Sequence, residues 1–384
     1  MLKGNMADRV RLGVVGLGNI GTSHIRSHLP KVPRLELAAV AEQDPERRAK
    51  FSEVPGFATT QEMVDSGLVD AVLIGTPHFD HTKSGIAALG AGLHTLVEKP
   101  ISVHVADAKR LIAAHKSGVF AAMFNQRTDP VYRAVRELIQ SGELGELRRV
   151  NWTATDWFRP DTYYASGGWR ATWAGEGGGV LLNQAPHNLD LYYWLFGSPA
   201  RIRASIGLGR FHDIEVEDDV TAFFEHENGM KGVFITTTGE CPGTNRLEIA
   251  GDRGKVVVEG GKITFARTPR SVEAFLRDAP GAFDSMDTWK AEIPPARGGG
   301  EQHVGILKNF AEAILDGKPL IAPASEGMAS VELANAMILS GLEDRTVDLP
   351  LDAEHYESVL NGLIANSKRT MKVDEAVAET SGSY

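Results

Sequence analysis

From residue 10 onward, short apolar runs alternate with segments of helical spacing: "VRLGVVG", "LELAAVAE", "VDAVLIGTP", "HTLVEKP" and "VFAAMFN". Apolar runs this short match strands covered on both faces of a parallel sheet. Strand followed by helix, repeated, predicts a doubly wound α/β unit over residues 8–125. "DPVYRAVRELIQSGELGEL" then sets Val131, Val135, Leu138 and Ile139 along one helical stripe before a glycine-containing stop. Beyond residue 146 the pattern changes to two-residue alternation, as in "LRRVNWTATDWF", "DDVTAFFEHENGMKGVFITTTGE" and "NRLEIAGDRGKVVVEGGKITFAR". Asn228-Gly229 between two such runs is a strong hairpin signal, so a large, mostly antiparallel open sheet is expected. Helices are predicted over about 179–195, 302–316 and 325–342. The expected organisation is a parallel α/β unit (8–125), an α+β unit (126–350), and a C-terminal segment (351–384) comprising a packing helix and a mobile tail.

The length of 384 residues agrees with two cores rather than one. With 42% hydrophobic and 23% charged residues the composition is globular, and the formal charge of −10 argues against partners such as nucleic acid or anionic lipid. Cys241 is the single cysteine, which excludes an intrachain disulfide and a thiolate cluster. The start lacks a secretory apolar segment and no run approaches the roughly 18 apolar residues of a membrane helix. A cytoplasmic location and a small-molecule partner are expected.

Chemistry concentrates at the ends of the predicted parallel strands. "VRLGVVGLGNIGTSHIRSHL" places Gly16, Gly18 and Gly21, with Asn19 and Ile20 between them, where a strand turns into a helix. Such glycines permit a tight turn, close approach of a pyrophosphate, and close helix packing. Glu42 ends the second strand, 21 residues after Gly21, where a carboxylate would accept hydrogen bonds from an adenosine ribose and repel a 2′-phosphate. NAD is therefore expected over NADP, with Arg47 and Arg48 the residues that weigh against it. Asp44 before Pro45 fits a helix N-cap. Thr76 and Pro77 end the third strand at the expected nicotinamide side, and His81 is either a cofactor contact or a helix-entry residue.

Lys99 lies at the end of the fourth strand in "LVEKP", followed by Pro100, which could hold the turn by a cis bond. Glu98 is expected among the cofactor contacts, and could also orient Lys99 or cap the next helix. In "WAGEGGGVLLNQAPHNLDLYYWLFG", Asn183, His187 and Asp190 follow i, i+4, i+7 spacing, so three polar groups are expected on one helical face. Buried without partners each would cost about 1–3 kcal/mol, so a shared crevice is the economical reading.

"GLGNIG", "EKP" and "GGGVLLNQAPHNLD", in this order and at these separations, resemble the glucose-fructose oxidoreductase, inositol dehydrogenase and rhizopine-catabolism family, Gfo/Idh/MocA, over about residues 9–345. The resemblance implies a Rossmann domain, then an α/β domain whose open sheet binds substrate on one side and commonly forms a homodimer or homotetramer through the other. It implies oxidation of a sugar or cyclitol hydroxyl with NAD or NADP, and maps the family's EKP lysine to Lys99 and its catalytic histidine to His187. The chain departs from the pattern at Asn183, where the family often has aspartate; an amide cannot take up a proton. On this reading His187 accepts the hydroxyl proton while Lys99 stabilises the alkoxide and contacts the cofactor ribose. Asn125, Gln126 and Arg127 follow the fifth strand at the same crevice, Gln126 on the cofactor side and Arg127 toward substrate. Asp156, Trp157, Trp169 and Arg170 would line a sugar pocket from the second unit, with an ion pair the alternative for Arg170. His303, after "GGGEQ", either reaches the pocket or stays at the surface of a late helix. The H-x-x-x-H at His24 and His28 is too weak a pattern to imply a metal. Two alternatives remain at this level: a glycosidase that retains NAD and re-reduces its substrate, and a nucleotide-binding regulator without chemistry.

Overall fold

The structure is a computed structural model and describes residues 8–367. Two sheets carry the architecture. The first contains β1 (Val10–Val15), β2 (Leu35–Ala41), β3 (Gly56–Phe57), β4 (Ala71–Ile74), β5 (His94–Val97) and β6 (Phe120–Ala122), all parallel, in the order β3-β2-β1-β4-β5-β6. Every residue of β4 and β6 is buried, as a strand covered on both faces requires. The two-residue edge strand β3 is the member of this sheet that the hydrophobic pattern does not reveal. Strand order reverses between β1 and β4, so the loops after these two strands diverge and open the crevice where such sheets bind ligands.

The second sheet contains β7 (Leu147–Ala154), β8 (Arg201–Leu208), β9 (Glu217–Glu225), β10 (Lys231–Thr237), β11 (Asn245–Gly251), β12 (Gly254–Glu259), β13 (Lys262–Arg267), β14 (Trp289–Ile293) and β15 (Val347–Asp348). Their order is β14-β13-β12-β11-β7-β10-β9-β8-β15, antiparallel except where β7 runs parallel to β10. Burial alternates along β11, so this sheet has one covered face. The Asn228-Gly229 turn joins β9 to β10, with Gly229 at φ +85°.

The two sheets are tied together by helices that follow them. Helix Gly327–Glu343 packs on β8 and on the helix Pro186–Phe196. From it Asn335 reaches the first unit, accepting the Val105 N–H at 3.0 Å and donating to the Val103 carbonyl at 3.1 Å. Those two bonds satisfy backbone groups that burial would otherwise strand. Helix Ala353–Asn366 follows and packs against the helix Val105–Ala114; the tail expected to be mobile lies beyond residue 367, outside the described residues.

The stretch predicted as one helix over 179–195 is two pieces. A single turn, Val180–Asn183, is followed by Gln184 and Ala185, and the helix proper runs from Pro186 to Phe196. Proline fits the first turn of a helix and opposes its interior, so Pro186 starts a new helix instead of continuing the old one.

Candidate active site at the crevice between the two sheets

The loop after β1 is shaped by its glycines. A Cβ on Gly21 would lie 1.9 Å from the Gly16 carbonyl oxygen, so the helix can approach the strand only with glycine there. A Cβ on Gly18, by contrast, would meet nothing within 4 Å, so the backbone borders open space at the point where a pyrophosphate needs to approach. Asn19 and Ile20 begin the short helix that follows. Glu42 closes the far side: its carboxylate accepts the Leu17 N–H at 2.7 Å and the Asp44 N–H at 3.1 Å. The basic residues nearby are already engaged, since Arg48 donates to the Glu42 carbonyl and Arg47 lies 3.4 Å from Asp44. Asp44 caps its helix as expected, accepting the N–H groups of Glu46 and Arg47.

At the end of β4, the Thr76 hydroxyl is buried with no hydrogen-bond partner among the described residues, and Pro77 is exposed beside it. His81 is corrected to a structural role. One ring nitrogen sits 2.7 Å from the Pro100 carbonyl and the other 2.8 Å from the Thr76 carbonyl, so the imidazole braces two strand ends and presents no free nitrogen to a cofactor.

Glu98 and Lys99 leave β5 in opposite directions, and the Lys99–Pro100 peptide is cis. The Glu98 side chain turns inward, with one oxygen 2.7 Å from His24 Nε2 and the other accepting the Lys99 N–H at 3.1 Å. This corrects its expected cofactor contact: Glu98 is a buried brace. Burial alone would raise its pKa, but the His24 hydrogen bond and the positive charges of His24, His303 and Lys99 outweigh that and hold it at about 2. The Lys99 ammonium crosses the crevice and donates to the Asn183 carbonyl at 2.8 Å. Its pKa falls to about 8, chiefly through burial, with Arg170 and Arg159 adding to the depression and Glu98 and Glu176 opposing it.

His187, near the start of the helix Pro186–Phe196, is buried, with its Nδ1 unpartnered among the described residues. The ring stands edge-on to Phe124, centroids 6.2 Å apart. Burial first, and the Lys99 charge second, push its pKa well below the ordinary histidine value, so the imidazole is neutral. Asn183 donates through Nδ2 to the buried Glu176 and accepts from the Tyr163 hydroxyl at 3.4 Å. Arg170 donates to the same Tyr163 oxygen at 2.8 Å, its guanidinium lying 4.6 Å from the Tyr163 ring and 4.7 Å from the Trp169 ring. Trp169 in turn stands edge-on to His78 at 5.4 Å. Lys99, Asn183, Tyr163, Arg170 and Trp169 thus form one connected polar and aromatic wall.

Other expected ligand contacts lie elsewhere. Asp190 is turned away from Asn183, because the break at Gln184 and Ala185 resets the helical phase, so the single polar face is not formed. Asp190 instead binds Arg127 through two bonds of 2.8 and 2.6 Å, and Arg127 also pairs with Glu326. Arg127 is fully buried, and its guanidinium is held by these carboxylates and the Ile321 carbonyl, which corrects its expected role at a substrate. Gln126 stays half-buried in the same turn, while the Asn125 side-chain oxygen is buried and unpartnered among the described residues. Asp156 is exposed and accepts from Asn245 at 3.1 Å. His303 is buried and stacks on His28, ring centroids 4.8 Å apart; His28 in turn lies 3.1 Å from His24, the partner of Glu98.

Three features escaped the sequence. Glu176 sits in an irregular segment and Tyr163 in the single helical turn Asp161–Tyr164, neither with a spacing signal. Glu217, on β9, accepts the N–H groups of Gly179 and Leu181 at 2.8 and 3.1 Å and so holds the start of the Asn183 turn; a Cβ at Gly179 would lie 2.0 Å from the Glu217 carbonyl oxygen. The His24 and His28 pair was visible as H-x-x-x-H, but its partner Glu98 is 74 positions away.

Comparison with known proteins agrees with this geometry. Residues 10–123 match the oxidoreductase family model with an NAD-binding Rossmann fold, and residues 132–257 match the GFO/IDH/MocA C-terminal domain. The myo-inositol 2-dehydrogenase of Thermotoga maritima is 25% identical over 354 residues, covering 88% of this chain and 98% of that protein. The trans-1,2-dihydrobenzene-1,2-diol dehydrogenase of Bos taurus is 30% identical, covering 64% of this chain and 72% of its own length. Among solved structures, the WlbA dehydrogenase from Bordetella pertussis in complex with NADH and UDP-GlcNAcA superposes with a TM-score of 0.75 at 26% identity, over 90% of this chain and 100% of that one. On these matches, which reach both sheets, the chain belongs to the GFO/IDH/MocA oxidoreductase family.

Proposed function

We propose that the protein is a dehydrogenase of a secondary hydroxyl on a sugar, glycoside or cyclitol, with Lys99 and His187 as its catalytic residues and NAD preferred over NADP. The observation that carries this reading is the pairing at the crevice of a part-buried ammonium with a buried imidazole whose Nδ1 has no protein partner among the described residues. An unsatisfied buried ring nitrogen costs about 1–3 kcal/mol, which a ligand hydroxyl would recover. The open space at Gly18, the carboxylate of Glu42 and the orphan Thr76 hydroxyl fit a dinucleotide. Glu42 would take the ribose hydroxyls and disfavour a 2′-phosphate, the nearby arginines being held by other groups. Bound NAD supplies the hydride acceptor. His187, neutral at physiological pH, takes the proton from the substrate hydroxyl. Lys99 donates a hydrogen bond to the same oxygen and stabilises the negative charge that develops there. Tyr163, Arg170 and Trp169 offer the hydrogen bonds and the apolar face that suit a sugar ring.

The test is a panel of aldoses, glycosides and inositols incubated with purified protein and NAD, following absorbance of NADH and substrate consumption together. Stoichiometric NADH is expected with at least one member. Product formed without net NADH would replace this reading with redox-neutral glycoside cleavage, and tight NAD binding with no turnover across the panel would replace it with a binding role.

A further inference from the structure

One buried carboxylate beside the proposed catalytic pair has no part in that chemistry as derived so far. Glu176 is 2% exposed and immediately precedes the three glycines. One oxygen accepts from Asn183 Nδ2, and the other accepts the Ala171 N–H at 2.6 Å. A carboxylate can only accept, so the contact fixes the amide: Nδ2 faces Glu176 and Oδ1 faces the Tyr163 hydroxyl. The same residue, Asn183, offers its backbone carbonyl to the Lys99 ammonium. Ala171 is also one of the few non-glycine residues with positive φ, +56°, a conformation that the bond to Glu176 helps to hold.

We propose that Glu176 is a positioning residue of the reaction centre: by clamping the Asn183 amide it keeps the Asn183 carbonyl on Lys99, and it provides next to Lys99 the negative charge that an aspartate at position 183 would carry. This rests on the dehydrogenase reading above. The charge matters because two guanidiniums face Lys99, while the histidines around it, their pKa values lowered chiefly by burial, are neutral where Lys99 titrates. Arg159 and Arg170 face it from the segment before the glycines, His187 from its helix, His78 from the helix after β4, and His303 from the head of the late helix Gln302–Asp316. Against these stand two carboxylates, Glu98 from its own strand end and Glu176.

A charge-swap experiment tests this. Glu176→Gln keeps the shape and removes the charge; kcat should fall about tenfold or more while NADH affinity is unchanged, and the alkaline limb of the pH profile should move to lower pH. Asn183→Asp alone sets two carboxylates in contact and should lose a similar factor. The double variant Glu176→Gln/Asn183→Asp restores one carboxylate and one amide, and should regain activity to within a few-fold with the alkaline limb returned. Acetic anhydride labelling of Lys99 against pH, read by peptide mass, follows its protonation without any substrate, so it distinguishes failure of this inference from failure of the dehydrogenase reading. A Glu176→Gln variant with wild-type kcat, an unmoved Lys99 titration, or a double variant as poor as either single would overturn the proposal.

Discussion

His187 and Asp190 stand three positions apart on one buried helix, and their surroundings are opposite. Asp190 is saturated by two charge-assisted bonds from Arg127, which is itself held by Glu326 and the Ile321 carbonyl. His187 keeps an unpartnered ring nitrogen beside an ammonium whose pKa burial has lowered. A buried polar group with all its bonds made builds the fold, because removing one partner leaves the other stranded. A buried polar group lacking a bond costs stability and is explained by something that binds there. The comparison therefore places Arg127 and Asp190 in the architecture and supports the proposal that Lys99 and His187 carry the chemistry.

The largest effects should fall on the chemical side. Lys99→Met and His187→Ala should each lower kcat by about 100- to 1,000-fold, while NADH binding stays near wild type. Stopped-flow absorbance and fluorescence titration read the two quantities, and wild-type turnover in both variants would erase the contrast. On the architectural side, Arg127→Ala should destabilise the fold by about 3–5 kcal/mol in denaturant unfolding, because it leaves the buried Asp190 carboxylate uncompensated. If the variant instead folds normally and loses only substrate affinity, Arg127 belongs with the ligand groups after all.

A smaller effect sharpens the contrast through pH. The Lys99 ammonium is lost as pH rises through about 8, against 10.5 for an ordinary lysine, so turnover should decline on that limb. Stability should move the other way. Between these two values the unfolded chain binds more protons than the folded one, so unfolding free energy contributed by Lys99 rises with pH. The difference between wild type and Lys99→Met in pH-dependent unfolding isolates that contribution, and a difference that falls with pH would contradict the part-buried ammonium.

Much of this was legible in the sequence. The glycine spacing at Gly16, Gly18 and Gly21, the carboxylate at Glu42, Lys99 at a strand end and His187 behind three glycines are all local patterns, and each stands next to the strand end or helix start that the pattern predicts. The prediction that Asn183, His187 and Asp190 share a face failed for a reason the sequence also contained. Equal spacing means a common face only on a continuous helix, and Pro186 signals a restart. Arg127 was misjudged because its neighbours in sequence say nothing of Asp190 and Glu326, which reach it from 63 and 199 positions away.

By itself, then, the sequence determined the period of each segment, the turns, and the residue types placed at strand ends, because these depend on backbone geometry and on near neighbours. Tertiary structure alone decided which buried polar groups are satisfied. That depends on partners brought together from distant segments: Glu98 with His24, Glu176 with Asn183, Arg127 with Asp190. Hydrogen bonds act over about 3 Å, so the difference between a brace and a reactive group is set by contacts that no local pattern records.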